Sequence, residues 1–479
     1  MNDRLADLLA HLFAFDVTAF HWTGVTPRSQ DPRKSSVKIP RSSACGVSGT
    51  SLTPSGSTPP ILDRCRSSDK ARGRLAVMAG QRIETAAGIS EAEFAARRER
   101  LLEDVRREGL SGYVLFGADY IQYFTGFWFL SNERPVVYAA SVEGPSAVFV
   151  PEFEVERTSA ETSFERIESY PEYPGVEHPM LIFARVLVDL GIGGAIGADQ
   201  DGYPGLLGYR GPALSDVTGA SVTALTDAIE AMIARKSPSE LGLIRESGRW
   251  CAHAHRLLQE YSRPGANEAE ASLRAGHEAT LTMLEELGEG YGGGLSSSAG
   301  VSAGYRGQIG LRSSWAHAIA HTIEFQPGDV LVTETSAPIW GYNAELERAL
   351  IIGPPTDEMR RLFDHTVAAQ QVAFDAIRPG VTCADVDGAV MRYFEQNDLL
   401  RYWRQHTGHG IGLRNHEAPF LDVGDHTTLE PGMVFTVEPG LYDPAVGGFR
   451  HSDTVAVTDD GMELLTDYPT ELERLTLPV

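Results

Sequence analysis

Short apolar runs alternate with amphipathic helical segments from Ser90 onwards, and this alternation constrains the fold more than any other feature. The segment SEAEFAARRERLLEDVRREG has helical apolar spacing, with Ser90 as N-cap, Glu93 three residues later and a closing glycine. The apolar runs GYVLFG, PVVYAA and SAVFVP follow, and then the helical segment PMLIFARVLVDLG. Strands that alternate with helices in this way predict a small α/β domain.

The length of the chain indicates a second domain. A single compact core rarely extends over 479 residues. Near residue 235 a helical segment ends and SPSE follows, in which Ser237 and Pro238 form a helix start signal. We therefore predict an N-terminal domain over residues 85–230 and a second domain over residues 235–479.

Residues 1–77 differ in composition from the rest of the chain. They contain eleven Lys and Arg, six Asp and no Glu. The stretch from Thr26 to Arg74 is rich in Ser, Pro and Arg and is too polar to form a core. We interpret residues 1–77 as a disordered or mis-called extension with the true start at Met78, and a targeting peptide is the alternative.

Charge and cysteine content exclude several classes of protein. A net charge of -24 argues against a nucleic-acid partner, because phosphate needs a basic face. The sequence has no uninterrupted apolar run of about 18 residues, so no membrane span and no membrane partner are predicted. Its four cysteines lack CxxC spacing, which predicts neither a disulfide framework nor a thiolate zinc site. We therefore expect a protein of the reducing cytoplasm.

Two glutamates lie on a predicted β-hairpin. An apolar strand leads into ETSAPIWGYNAELER, and a second apolar strand follows it. Glu334 and Glu345 stand eleven residues apart, across a Gly-Tyr pair that can turn the chain. This spacing predicts a carboxylate at matching points of the two strands.

Histidines and a further glutamate add metal-ligand chemistry. His406, His409 and His416 lie within HTGHGIGLRNHE, where the glycines permit close approach of a ligand. Glu438 interrupts the apolar strand of TVEPGLY, and an unpaired carboxylate in such a place needs a cation or donor groups. Together with the hairpin glutamates, these side chains are of the types that suit Mn, Fe, Co or Zn.

A series of motifs is spaced along the chain from about residue 85 to its end. They are YFTGF, IARKSPSELGLIRESG, GDVLVTETSAPIWGYNAELERALIIG, IRPGVTCADVD, HTGHGIGLRNHE, EPGMVFTVEPGLY and GGFRHSDTVAVT. In this order they resemble the creatinase, aminopeptidase P and prolidase family of M24-type metallopeptidases. The resemblance implies an α/β N-terminal domain followed by an α+β pita-bread (creatinase/aminopeptidase) catalytic domain.

The peptidases of that family hold two divalent metal ions with two aspartates, one histidine and two glutamates. Carried over by position, the resemblance implies as metal ligands Glu334, Glu345, His409, Glu438 and Ser452. It places the two substrate-facing histidines at His317 and His416. A further family histidine is Gln405 here, with His406 one place on.

Three of the five ligand positions depart from the family pattern. Glutamate in place of aspartate keeps the charge but lengthens the arm, and Ser452 lacks a carboxylate altogether. The remaining three carboxylates and a neutral histidine balance one dication better than two. Glu347 and Asp453 are candidates to compensate, but strand alternation turns Asp453 to the face opposite Ser452. We therefore expect one divalent metal ion, with two ions or none as the alternatives.

The resemblance implies hydrolysis of the peptide bond before proline, as in Xaa-Pro aminopeptidases and Xaa-Pro dipeptidases. A metal-activated water would attack that bond, with Glu438 as general base. His317 and His416 would hold the substrate and stabilise the oxyanion. One alternative is a metal-poor or metal-free relative that acts on a small C–N or zwitterionic substrate, either a creatinase-like amidinohydrolase or a dimethylsulfoniopropionate-type lyase. The other alternative is a non-catalytic binding module.

Further residues are expected around the site without a fixed role. Arg450 is expected to pair with site carboxylates, and Glu417 to orient His416. His406 is expected in a loop or in a supporting position, and Ser452 and Asp453 stay uncertain as ligands. The resemblance also implies a short-peptide or small-molecule substrate and a homo-oligomer, such as a dimer.

Overall fold

The computed structural model describes residues 88–288, 291 and 300–479. The predicted extension at residues 1–77, with Cys45 and Cys65, lies outside the described residues. Within the described ranges, no helix combines the length and apolar character that a bilayer span requires.

The first part of the chain forms a six-stranded sheet with helices around it. Its strands are β1 (Gly112–Leu115), β2 (Val137–Ser141), β3 (Ser146–Pro151), β4 (Ile167–Tyr170), β5 (Ala195–Ala198) and β6 (Ser221–Ala224). The helices are α1 (Glu91–Arg107), α2 (Ala118–Thr125), α3 (Val155–Glu161), α4 (Pro179–Asp189), α5 (Leu214–Thr218) and α6 (Thr226–Ala234). The strand order is β4-β3-β2-β1-β5-β6, in which β1 and β2, and β2 and β3, run antiparallel. Ser90 caps α1 by accepting a hydrogen bond from the Glu93 amide, as its position predicts.

Strand alternation gives this sheet two apolar faces. Tyr113 and Leu115 point to the face that packs into the core shared with the rest of the chain. Val114 and Phe116 point to the other face and pack with Phe183 of α4. Burial on both faces explains why β1 is apolar throughout and does not alternate with polar residues.

The second part of the chain contains longer helices around a larger sheet. The helices are α7 (Pro238–Tyr261), α8 (Glu268–Leu287), α9 (Asp357–Ala376), α10 (Cys383–Gln396) and α11 (Leu472–Leu475). The first strands are β7 (Ser302–Gly304), β8 (Val330–Val332), β9 (Glu334–Ser336), β10 (Glu345–Glu347), β11 (Ala349–Ile352), β12 (Gly408–Gly410) and β13 (Glu417–Leu421). The remaining strands are β14 (Val434–Val437), β15 (Gly440–Asp443), β16 (Gly447–Arg450), β17 (Ser452–Val457), β18 (Met462–Leu464) and β19 (Thr476–Leu477).

Among the described residues, the large sheet has eight strands. Seven follow the order β13-β12-β14-β17-β10-β9-β7, and β18 pairs with β17. Smaller sheets of β19-β11-β8 and β15-β16 lie beside it. Strands from distant parts of the sequence therefore become neighbours, and their side chains meet on one face at the centre of the large sheet.

The predicted junction at Ser237 and Pro238 is the start of α7. Ser237 and Glu240 form a capping box, and Pro238 occupies the first turn. Glu240 also accepts a hydrogen bond from the Tyr342 hydroxyl at 2.8 Å and pairs with Arg97 of α1 at 3.2 Å. The junction thereby ties the first helix to the hairpin that carries the candidate site. The exact domain limits, 85–230 and 235–479, stay predictions.

Candidate metal centre

The hairpin of β9 and β10 turns at Trp340 and Gly341. Both residues have positive φ, 51° and 80°, which is the conformation of a two-residue hairpin turn that matches strand twist. Ile339 and Tyr342 close the turn, so counting outwards places Glu345 opposite Ser336. The prediction that Glu334 and Glu345 occupy matching points is therefore wrong, because such a pairing needs a turn at Ile339 and Trp340, one residue earlier than the observed turn. The same register sets Glu334 opposite Glu347.

The neighbouring strand β17 continues this polar face. Glu347 of β10 lies opposite Ser452 of β17. On the far side of β17, β14 pairs in a register that sets Thr454 opposite Thr436, and Glu438 follows β14 directly. Four strands thus bring Glu334, Glu347, Ser452 and Glu438 across one face of the sheet.

Glu345, His409 and Glu438 converge at the centre of that face. Each is buried and offers one ligand atom, and the three atoms lie within 4.8 Å of one another. His409 Nε2 is 3.2 Å from Glu438 Oε1. His409 Nδ1 lies 3.0 Å from the carbonyl oxygen of Gly410 and donates to it, which leaves Nε2 to face the carboxylates.

Glu345 is the carboxylate without a cation. Its Oε1 accepts a hydrogen bond of 2.9 Å from Ser452 Oγ, and no arginine or lysine of the described residues forms an ion pair with it. Burial, together with the negative charges of Glu347 and Glu438, raises the pKa of Glu345 well above its usual range. A buried carboxylate in such surroundings favours a bound cation.

Glu438 has the opposite electrostatic environment. Burial opposes its charge, but the hydrogen bond from His409 and the positive charge of Arg450 lower the pKa of Glu438 to about 2. Gln405 Nε2 donates to the Glu438 carbonyl at 3.2 Å and lies 3.5 Å from its Oε2. Tyr442 in turn donates to Gln405 Oε1 at 2.8 Å. Glu438 is therefore ionised and held in one orientation.

Arg450 neutralises the glutamate next to the centre, as its predicted role requires. Its guanidinium forms a two-point pair with the buried Glu347, with Nη2 2.6 Å from Oε1 and Nε bonded to Oε2. Nε also lies 3.6 Å from Glu438 Oε2. Arg306 approaches from outside the sheet, with Nε 2.5 Å from Glu334 Oε2 and Nη2 3.4 Å from Glu347 Oε1.

The two histidines that the sequence predicts to face the substrate, His317 and His416, are both exposed. The His416 ring stacks on the His409 ring, with centroids 3.8 Å apart and planes at 15°. His317 is exposed, and the carbonyl oxygen of its neighbour Ala316 accepts from Arg450 Nη1 at 3.3 Å. His416 therefore contacts a residue of the candidate ligand group directly, whereas His317 is tied to the site through its backbone neighbour.

Three other candidate residues lie outside the ligand group. Asp453 binds Arg348 at 3.0 Å and accepts from Gln370 at 3.0 Å on the opposite face to Ser452, as strand alternation predicts. Glu417 forms a buried ion pair of 2.6 Å with Lys236. His406 is half-buried, lies 3.9 Å from Asp422, and has its ring centroid 6.4 Å from that of His409. These residues support the strands and loops that carry the ligand group.

The sequence did not single out Arg306 or Tyr442. It gave Glu347 only as a candidate to compensate for a missing ligand, and Gln405 only as the position of a replaced family histidine. Glu347 had a usable signal, because a residue two places after Glu345 in a strand shares its face. The contacts of Arg306, Gln405 and Tyr442 join residues that are far apart in the chain, and no local sequence pattern predicts them.

The donor set fits a divalent transition ion. One imidazole nitrogen and two carboxylates suit Zn, Mn, Fe or Co, and one uncompensated carboxylate supplies the charge that attracts the ion. Glu345, His409 and Glu438 would hold it. Glu334 and Ser452, the other two predicted ligands, pair instead with Arg306 and with Glu345.

Two known families match parts of this chain. Residues 242–459 match Metallopeptidase family M24, and residues 97–232 match the Creatinase/Prolidase N-terminal domain. The chain belongs to metallopeptidase family M24. The fold class predicted from the sequence, an α/β domain followed by a pita-bread catalytic domain, is thereby confirmed.

Individual M24 relatives show the extent of the similarity. The probable dipeptidase PepE of Mycobacterium tuberculosis is 29% identical over 400 residues, which cover 81% of this chain and 98% of the relative. The Xaa-Pro dipeptidase of Pyrococcus furiosus is 34% identical over 163 residues, 34% of this chain and 47% of the relative. The structure of an Xaa-Pro dipeptidase from Bacillus anthracis superposes with a TM-score of 0.67 and 26% identity, covering 81% of this chain and 100% of that one.

Proposed function

We propose that this M24 protein is a one-metal hydrolase that cleaves the peptide bond before proline in short peptides. The observation that carries the proposal is the convergence of Glu345, His409 and Glu438 within 4.8 Å on one face of the sheet. The two Xaa-Pro dipeptidases and the probable dipeptidase among its relatives support a short peptide as substrate.

The metal ion has a defined task in this proposal. When bound by Glu345, His409 and Glu438, a divalent ion lowers the pKa of water and polarises the scissile carbonyl. Mn, Fe, Co and Zn all fit the donor set. The chain then has to orient the ligands, accept a proton and position the peptide.

Glu438 is the residue that accepts the proton of the attacking water. Its carboxylate is kept ionised beside His409, and Gln405 and Tyr442 fix its orientation through a chain of hydrogen bonds. A base held in one geometry contributes roughly 10²–10⁴-fold to a hydrolytic rate. The carboxylate of Glu438 lies beside Glu345 and His409, within the same group of candidate ligands.

His416 and His317 act on the substrate side. His416 stacks on His409 and so lies beside the ligand group, where its ring nitrogen can donate to the oxyanion of the tetrahedral intermediate. Partial burial lowers the pKa of His416, which favours its neutral ring. His317, on the exposed segment next to Ala316, binds the peptide.

A second candidate function rests on the same uncompensated carboxylate. In the absence of a metal ion, Glu345 would attract a cationic group of a small substrate, as in a creatinase-like amidinohydrolase or a dimethylsulfoniopropionate-type lyase. Glu345, buried beside Ser452, could pair with a cationic group of the substrate. In that case His409 and Glu438 would have no metal ion to bind in common. The metal-dependent hydrolase uses all three side chains and is preferred.

One experiment separates these functions. The purified chain is stripped with a chelator, reloaded with Mn²⁺ and assayed on Xaa-Pro dipeptides and tripeptides, beside creatine, dimethylsulfoniopropionate and a peptide with alanine in place of proline. We expect Mn²⁺-dependent release of the residue before proline, abolished in Glu345→Gln. Turnover of creatine or dimethylsulfoniopropionate by the stripped protein would establish the second candidate instead. No turnover of any substrate would favour a binding module.

A further inference from the structure

Charges alternate in a row beside the candidate metal ligands. Along the polar face the order is Glu334, Arg306, Glu347, Arg450 and Glu438. Each glutamate in this row contacts a guanidinium within 3.6 Å, and each guanidinium contacts two glutamates. Glu345 stands outside the row and contacts Ser452 instead.

Arg306 reaches this row from an unusual backbone position. It follows β7, in which Gly304 lies opposite Glu334, and its own φ is +49°. The left-handed conformation is costly for a residue with a side chain, so the surroundings must fix it. The buried Glu268 does so, since it accepts hydrogen bonds from the amides of Gly307 and His321 at the two ends of the loop. The chain is thus folded back to aim Arg306 at Glu334.

Glu334 and Glu347 need a cation between them. They are cross-strand neighbours, and like charges placed directly opposite each other destabilise a sheet. Oxygen atoms from two such carboxylates are also suitable ligands for a divalent ion. Arg306 contacts both carboxylates and supplies the positive charge that either arrangement requires.

A charge balance for the whole centre follows. When ionised, the four glutamates Glu334, Glu345, Glu347 and Glu438 carry four negative charges. Arg306 and Arg450 cancel two of these, and the remainder equals the charge of one divalent ion. A second divalent ion would leave the centre with two excess positive charges, whereas the loss of Arg306 reduces that excess to one and frees the oxygen atoms of Glu334 and Glu347 for the ion.

We propose that the guanidinium of Arg306 is a built-in cation that takes the place of a second metal ion and limits the centre to one. The inference rests on the proposed function, because it assumes that Glu345, His409 and Glu438 hold the first ion. It adds that a residue outside the ligand set determines the metal stoichiometry.

The test measures metal content, independently of activity. Wild-type protein, Arg306→Gln and the control Arg312→Gln are equilibrated with excess Mn²⁺, desalted and subjected to elemental analysis. Arg312 is a matched control, since its guanidinium contacts the Trp315 ring and the Ile319 carbonyl oxygen. We expect one ion per chain for the wild type and for Arg312→Gln, and two for Arg306→Gln. The double variant Arg306→Gln/Glu334→Gln should return to one ion.

A second variant provides for the case in which Arg306→Gln does not fold. Arg306→Gly suits the positive φ and removes the guanidinium, so it tests the same inference if Arg306→Gln folds poorly. One ion in both Arg306 variants would overturn the inference about Arg306. Two ions in the wild type would also overturn it, but this result would leave a metal-dependent hydrolase intact. No ion in the wild type would refute the proposed function itself.

Discussion

Glu347 lies directly opposite Ser452 in the antiparallel pair of β10 and β17. The family resemblance implies a glutamate ligand at the position of Ser452, and Glu347 supplies a carboxylate on the adjacent strand. There it is engaged by Arg450 at 2.6 Å, and Ser452 turns its hydroxyl to Glu345. The centre therefore keeps a carboxylate at this point, but the charge of that carboxylate is neutralised by Arg450.

The pairing predicts how Ser452→Glu behaves. The new carboxylate would be buried beside Glu345 and Glu347 without a cation of its own, and we expect a loss of roughly 3–5 kcal/mol in the free energy of unfolding. The exchange Ser452→Glu/Glu347→Ser keeps the number of carboxylates and should recover most of that loss. Urea unfolding measures both variants. Ser302→Glu, at an exposed site on the edge strand, is the control and should change stability by less than about 0.5 kcal/mol. Equal stability of Ser452→Glu and wild type would contradict the described register.

The assignment of ligands predicts different effects for the two hairpin glutamates. Glu345→Gln should weaken Mn²⁺ binding by at least about 100-fold, more than is usual for a group that only orients a ligand. Glu334→Gln should keep the ion, because Glu334 pairs with Arg306 and lies outside the ligand group. Calorimetric titration with Mn²⁺ checks both, with the exposed Glu463→Gln as control. Loss of the ion in Glu334→Gln alone would reverse the assignment.

The buried pair of Lys236 and Glu417 predicts a large effect on stability. Both side chains are at most 1% exposed, so Lys236→Met leaves Glu417 buried without its cation and should cost about 3–5 kcal/mol. The exposed pair of Arg245 and Glu463 offers a matched comparison, and Arg245→Met should cost no more than about 1 kcal/mol. Chemical denaturation of the two variants gives the difference. A small loss in Lys236→Met would show that the pair is not needed to hold the segment before His416.

His255 predicts an acid-sensitive contribution to stability. Burial and the charge of Arg348 lower the pKa of His255 well below 6.5 in the folded chain, where its Nε2 lies 2.6 Å from Thr333 Oγ1. The unfolded chain binds this proton at pH values below about 6.5, so the contribution is complete above that pH and is lost as the pH falls. Wild type should lose up to about 1.4 kcal/mol per pH unit more than His255→Gln below pH 6.5. Unfolding at a series of pH values measures the slopes, and the exposed His426→Gln should keep the wild-type slope.

Local sequence patterns predicted much of the fold and part of the site. Ser90 and the Ser237–Pro238 signal fix the starts of α1 and α7, because caps depend on a few adjacent residues. His409 and Glu438 stood out by their own context, a glycine-rich loop and an apolar strand. The family resemblance that the motifs carry grouped both residues with Glu345 as metal ligands, and the three side chains lie close together in the structure.

The remaining features depend on geometry that no local pattern contains. The hairpin register is decided by where the turn falls. The turn at Trp340–Gly341 sets Glu345 opposite Ser336, and a turn one residue earlier would set Glu345 opposite Glu334. Arg306 contacts Glu334 from a left-handed backbone position, a conformation that sequence does not indicate for arginine. Lys236 and Glu417 are 181 positions apart and meet only in the folded chain.

A crystal of the wild-type protein grown with Mn²⁺ and measured for anomalous scattering would locate the metal ions and count them. We expect one anomalous peak per chain, bounded by Glu345, His409 and Glu438, with the Arg306 guanidinium between Glu334 and Glu347. A second peak between Glu334 and Glu347, or the absence of a peak at the first position, would contradict this expectation.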